Sequence, residues 1–207
     1  MSRLYLRRYT DLTSLIYMLT TKTITLLNPE SWDDTNDSHY LSVFKSKSGI
    51  GSVLALCFTE NDERYHYWRV FGNSPSGVCI QFNRTALLTS VRKRSDLLTK
   101  SVKYVKLNEL REDALFVGNL PFIKRFAFED EREYRLVLPL AKECTSLDIS
   151  IPLSCINKVT LSPWLNANLL ESVKKTVHGI DGCNRLKVTR STLISNDEWK
   201  EFAASAT

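Results

Sequence analysis

The sequence predicts an α+β fold, a mixed sheet with about four helices packed around it. Three observations carry this. Two runs, Val53-Leu54-Ala55-Leu56-Cys57-Phe58 and Val78-Cys79-Ile80-Gln81-Phe82, are apolar on both alternating faces or nearly so, as central strands covered on both sides are. Leu165, Leu169, Val173 and Val177 recur every four residues and give the clearest helical stripe. Strand and helix signals do not alternate strictly, which argues against a doubly wound nucleotide fold. No repeat, low-complexity tract or Pro/Gly linker divides residues 1–207, so a single domain is expected.

From the N-terminus, Tyr5-Leu6-Arg7-Arg8-Tyr9 reads as a strand that puts Arg7 and Tyr9 on one face and Arg8 on the other. Thr10 or Asp11 caps a first helix carrying Leu12, Leu15, Ile16 and Leu19 at helical spacing. Thr23-Ile24-Thr25-Leu26-Leu27 is a β-branched strand, and residues 28–37 a polar loop. Ser74-Pro75-Ser76-Gly77 turns into the second central strand. Leu107, Leu110, Ala114 and Val117 mark a short amphipathic helix, and Tyr134-Arg135-Leu136-Val137-Leu138 returns to strand composition. Residues 156–161 and 186–189 are further strands. Between them Ser162 as N-cap and Pro163 at the first helical position open a helix that Gly179 closes. Ser195-Asn196-Asp197-Glu198 is a capping-box sequence for a last helix through Phe202.

With 207 residues, 43% of them hydrophobic and 25% charged, the chain can build a core without staples. Its five cysteines are scattered and never in CxxC spacing, which reads as small buried hydrophobes in a reducing, cytoplasmic setting. The N-terminal residues lack a signal-peptide core, and no stretch approaches the roughly 18 apolar residues of a membrane span. Neither secretion nor membrane insertion is expected. A net charge of +5 suits an anionic ligand or nucleic acid. Clusters such as Arg92-Lys93-Arg94 and Lys174-Lys175 are modest, and an ordinary solvated surface is the simpler account of them.

Walker, GxGxxG, HExxH and GxSxG motifs are absent, and no His pairs with Cys at metal spacing, so neither a metal nor a Rossmann cofactor is expected. His66, within Tyr65-His66-Tyr67-Trp68, reads more simply as a half-buried ring in an aromatic turn than as a catalytic group. The most site-like segment is Glu129-Asp130-Glu131-Arg132-Glu133-Tyr134-Arg135. At the start of a strand, Glu131 and Glu133 project to the same face. Carboxylates so placed repel and raise the pKa of at least one; such pairs bind a metal, share a proton or stabilise positive charge developing on a sugar. The plain alternative is that residues 129–131 solvate a loop and that Glu133 pairs with Arg135 or Arg132. Arg7 or Arg8 offers a fork for phosphate or ribose. The loop from Trp32 to Asp37 and the aromatic block from Tyr65 to Phe71 are polar-aromatic mixtures of the kind that line clefts.

This order of motifs resembles a bacterial and phage family, the domain of unknown function numbered 2971. The likeness rests on Tyr5 to Tyr9, Trp32-Asp33-Asp34-Thr35-Asn36-Asp37, Cys57-Phe58-Thr59, Trp68 with Phe71-Gly72, Gly77 to Phe82, Glu131 to Arg135 and Val159 to Pro163. Asp33, Thr35 and Ser162 depart from its Asn, Pro and Gly. The layout also resembles, more distantly, the ADP-ribosyltransferases, which implies a split, mostly antiparallel mixed sheet and NAD as substrate. That resemblance makes Glu133 the catalytic glutamate, stabilising the oxocarbenium-like state as nicotinamide leaves, and Glu131 a helper that positions the acceptor. It puts Arg7 or Arg8 on the NAD phosphates or ribose, counts Tyr5 among the cofactor-binding residues, and places Tyr67 and Trp68 in a stack on nicotinamide and Thr59 on the ribose or carboxamide. It implies a nucleic-acid or protein acceptor and a toxin-like role in phage or bacterial defence, with an antitoxin or host protein as partner.

Two other readings stay open. A non-catalytic nucleotide- or partner-binding module would keep its binding after Glu133→Gln. A metal-dependent nuclease would gather Asp33, Asp34 or Asp37 with Glu131 and Glu133 around Mg²⁺, although no lysine follows the acidic pair at a suitable spacing.

Overall fold

The computed structural model describes residues 4–72, 75–112 and 114–206; Ser74 of the predicted turn lies outside them. The strands are β1 (Tyr5–Asp11), β2 (Thr23–Leu27), β3 (Ser52–Thr59), β4 (Gly77–Asn83), β5 (Leu98–Ser101), β6 (Lys103–Val105), β7 (Ile123–Arg125), β8 (Glu133–Leu140), β9 (Ser146–Ser150), β10 (Ile156–Leu161) and β11 (Lys187–Arg190). The helices are α1 (Leu12–Thr21), α2 (Thr35–Ser48), α3 (Tyr65–Phe71), α4 (Arg84–Val91), α5 (Glu109–Glu112), α6 (Ala167–His178) and α7 (Asp197–Ala204). The class is the mixed α+β one that the sequence predicts, with more elements than its signals suggested.

Among the described residues, one 9-stranded sheet runs β11-β10-β4-β1-β3-β2-β9, with β8 joined to β3 and β5 to β8. Its pairings are antiparallel except β10 with β11. β6 and β7 form a separate parallel ribbon.

The sheet is open in the middle. β1 follows β4 from Tyr5↔Asn83 to Asp11↔Gly77 but meets β3 only at Arg7↔Thr59. β2 meets the same edge of β3 only at Leu27↔Ala55, while β8 covers the other edge from Ser52↔Leu140 to Thr59↔Glu133. A wedge therefore opens beside Leu56 and Cys57, between the two points of contact.

The main core fills one face. Leu6, Leu54, Leu56, Phe58, Ile80, Phe82 and Leu136 meet Leu15 and Leu19 of α1, Leu87 and Val91 of α4 and Val177 of α6. Each such fully buried side chain stabilises the fold by about 1.5–3 kcal/mol. The other face carries two smaller clusters. One packs Leu41 and Phe44 of α2 on Val53, Ala55 and Val137; the other packs Tyr67 and Trp68 of α3 on Tyr9 and Cys79. The ground between these clusters is polar.

Several boundaries differ from expectation for identifiable reasons. At α1 the cap is Asp11, one of the two expected candidates, its Oδ1 accepting from the Ser14 amide at 2.8 Å; the others depart. The expected loop 28–37 gives way at Thr35 to α2, capped by Asp34. The one-turn α5 replaces the amphipathic helix of residues 107–117, because Leu107 is 60% exposed and has no core to face. Ser162 is fully buried, its amide bonded to the Gly77 carbonyl at 2.8 Å, so α6 starts later, capped by Asn166. α7 is capped by Asn196 rather than Ser195.

Candidate functional site

The wedge opens into a cavity of about 450 Å³ on the polar ground between α2 and α3. Arg7, Arg8, Asp34, Asp37, Cys57, Thr59, Lys124, Glu131 and Glu133 give it polar walls; Tyr9, Trp32, Phe71 and Phe128 give it aromatic ones.

Glu133 opens β8 and Arg135 follows two residues later on the same face, both buried. Arg135 donates from Nε to Oε1 of Glu133 at 2.6 Å and from Nη2 to Oε2 at 2.8 Å. Its Nη1 and Nη2 donate to Oδ1 and Oδ2 of Asp37 at 2.9 and 2.7 Å, and Nη1 also to the Pro121 carbonyl at 2.9 Å. The guanidinium lies 5.1 Å from the Trp32 ring centroid. Lys124 Nζ stands 2.6 Å from Glu131 Oε2, 3.6 Å from Glu133 Oε2 and 3.7 Å from Asp37 Oδ2. Three carboxylates thus share two buried cations, the condition under which ionised groups persist in an interior.

The two glutamates are driven apart. Burial opposes ionisation of Glu133, but Arg135, Lys124 and the Cys57 thiol outweigh it and hold the carboxyl at about 2. Burial pushes Glu131 above its ordinary value, with Glu133 and Asp37 adding to the effect and Lys124 only partly opposing it. Glu133 is thus held toward its charged form by its cations, while burial pushes Glu131 the other way despite its contact with Lys124.

The arginines of β1 also differ. Arg7 is neutralised, donating to the Asn61 carbonyl at 2.8 Å and to Asp62 Oδ1 at 2.7 Å. Arg8 sits in the wedge, half-buried, and among the described residues donates only to the Cys57 carbonyl at 3.4 Å. Burial lowers its pKa. Of the cations lining the cavity, Arg8 has no carboxylate within ion-pair distance among the described residues.

The remaining expected residues are placed as follows. Glu131 is not on the strand: it ends a 3-10 turn, Phe126–Glu131, and Arg132 turns the chain into β8 with φ 41. Both glutamates reach Lys124 even so. Thr59 lines the cavity and donates to the Glu131 carbonyl at 2.6 Å, tying that turn to β3. Tyr67 and Trp68 do not line the cavity. The aromatic block is helix α3, whose spacing turns these residues inward, 1% and 0% exposed, with ring centroids 5.7 and 5.1 Å from Tyr9. Tyr5 also lies outside the lining, opposite Asn83, and His66 is exposed on α3. Asp34, besides capping α2, keeps Oδ2 buried with no hydrogen-bond partner among the described residues.

No family model and no curated protein sequence matches the chain, so the likeness to family 2971 finds no support there. Solved structures of Thermus sp. 2.9 DarT are similar in chain trace. The complex with NAD+ has 9% identity and a TM-score of 0.47, covering 92% of this chain and 96% of that chain. The complex with ADP-ribosylated ssDNA has 10% identity and a TM-score of 0.48, covering 91% and 94%. Likenesses this distant assign no ligand to this chain.

Proposed function

We propose that the protein is an NAD-dependent ADP-ribosyltransferase, with Glu133 as catalytic glutamate and Arg8 as the anion-binding residue. The observation that supports this most directly is a cavity in a split sheet with Arg8, outside ion-pair range of any carboxylate among the described residues, on one wall and the Glu133 carboxylate, held by the Arg135 fork, on another. ADP-ribosyl transfer needs both. The pyrophosphate of NAD requires a cation that is not already paired. Rupture of the bond between nicotinamide and ribose C1′ sends the electron pair out with nicotinamide and leaves positive charge on the sugar, which a fixed carboxylate stabilises. An acceptor nucleophile then bonds to C1′, and Glu131 takes the proton it releases. Asp34 Oδ2 supplies an acceptor for a ribose hydroxyl, and Phe71 and Phe128 replace Tyr67 and Trp68 as the aromatic walls for nicotinamide. The net charge of +5 favours nucleic acid over protein as acceptor. Such an acceptor would make the activity toxic to its host, consistent with a restrained effector.

The nuclease reading fares worse because the Lys124 ammonium and the Arg135 guanidinium already stand among Asp37, Glu131 and Glu133, where a metal ion would have to sit. Calorimetric titration with NAD+ tests the proposal: saturable binding that Arg8→Ala weakens and Glu133→Gln largely spares supports it. No saturable heat at millimolar NAD+ rejects it.

A further inference from the structure

Arg8 is shared by two cavities. The second encloses about 580 Å³ on the opposite face of the sheet, beside α1, and meets the first at Arg8, Leu27 and Leu56 in the wedge. Nothing in the transferase chemistry uses it, and its size is that of a small-ligand site.

Three features of this rear cavity define a ligand. Its cation is Arg8, which has no carboxylate in ion-pair range among the described residues and donates only to the Cys57 carbonyl at 3.4 Å. A half-buried charge in that condition is stabilised when an anion arrives. Its rim is rich in hydroxyls. Asp148 is held by Tyr17 through Oδ2 and by Thr25 through Oδ1, both at 2.6 Å, which fixes the carboxylate and leaves lone pairs to accept from a ligand hydroxyl. The hydroxyls of Thr13 and Ser146, also on the wall, have no partner among the described residues. Its floor is apolar, formed by Met18, Ile24, Leu56 and Ile80, and takes a flat ring.

We propose that the rear cavity binds a nucleoside 5′-monophosphate, with phosphate on Arg8, ribose hydroxyls on Asp148 and its hydroxyl neighbours, and base on the apolar floor. Because one guanidinium serves both cavities, occupancy of the rear withdraws it from an anion in front. Binding here does not depend on the transferase reading, which nicotinamide release tests separately.

The test is calorimetric titration of the whole chain with AMP, with adenosine, ribose 5-phosphate and inorganic phosphate in parallel. One saturable site is expected, weakened about tenfold or more by Asp148→Asn and by Arg8→Met and changed less than about twofold by Glu131→Gln. AMP binding lost in Arg8→Met but unchanged in Asp148→Asn, a position that lines only the rear cavity, would put the ligand in the front cavity and overturn the proposal. Adenosine binding as tightly as AMP would overturn the role of Arg8, and inorganic phosphate doing so would overturn the nucleoside part. Absence of saturable binding at millimolar AMP would overturn it entirely.

Discussion

Glu133 and Arg135, two residues apart on β8, are locked by a pair of hydrogen bonds at 2.6 and 2.8 Å in a buried setting, and the far edge of the same guanidinium grips Asp37 of α2. The Glu133 carboxylate is therefore oriented by a residue that also fastens α2 to the sheet.

Removing Arg135 leaves Glu133 and Asp37 buried with Lys124 alone to balance them. Arg135→Met should destabilise the protein by about 3–5 kcal/mol in urea titration. Arg135→Lys should also destabilise it, because an ammonium cannot fork onto two carboxylates. A loss below about 1 kcal/mol would show that the network is not what holds α2 in place.

Arg8→Met should behave in the opposite way. The guanidinium is desolvated without a carboxylate partner, so its loss should leave the urea midpoint unchanged or slightly raised. NAD+ affinity should fall by about tenfold or more, equivalent to about 1.4 kcal/mol. Unchanged affinity would remove Arg8 from the binding account.

The acid limb of stability should contain Glu133. Its folded pKa, about 2, lies below the ordinary 4.5, so its contribution is complete above the ordinary value and is lost as pH falls through about 2. Glu133→Gln should flatten that part of the stability profile, read from urea midpoints between about pH 5 and 2.

Glu131 is shifted the other way, so its deprotonation lies above the usual carboxylate range. If it receives the acceptor's proton, kcat should rise with pH through that raised value. Glu131→Gln should abolish this limb while leaving the NAD+ KM within about twofold; an unaltered profile would assign the proton elsewhere.

The central strands were legible because burial on both faces leaves a continuous apolar run, and residues 53–58 and 78–82 lie within β3 and β4. The helix α2 was hidden because its inward residues, Leu41 and Phe44, are diluted among polar neighbours. At the site, the arginines of β1 and the acidic run leading into β8 were visible as clustered charges. Their division of labour was not: Arg7 is neutralised by a loop more than fifty residues away, and Arg8 is exposed to the cavity only because β1 and β3 diverge. Lys124 carried no signal, since it lies on the three-residue β7 and reaches Glu131, Glu133 and Asp37 only through the tertiary fold.

The most direct measurement is nicotinamide release from NAD+, followed by chromatography, for the wild type, Glu133→Gln and Arg8→Met, with melting temperature and NAD+ binding recorded for each. The account predicts release by the wild type and a fall of about 10²–10³ in kcat for a Glu133→Gln protein that remains folded and still binds NAD+. A folded wild type that binds NAD+ without releasing nicotinamide, or a Glu133→Gln variant that releases it at the wild-type rate, would contradict it.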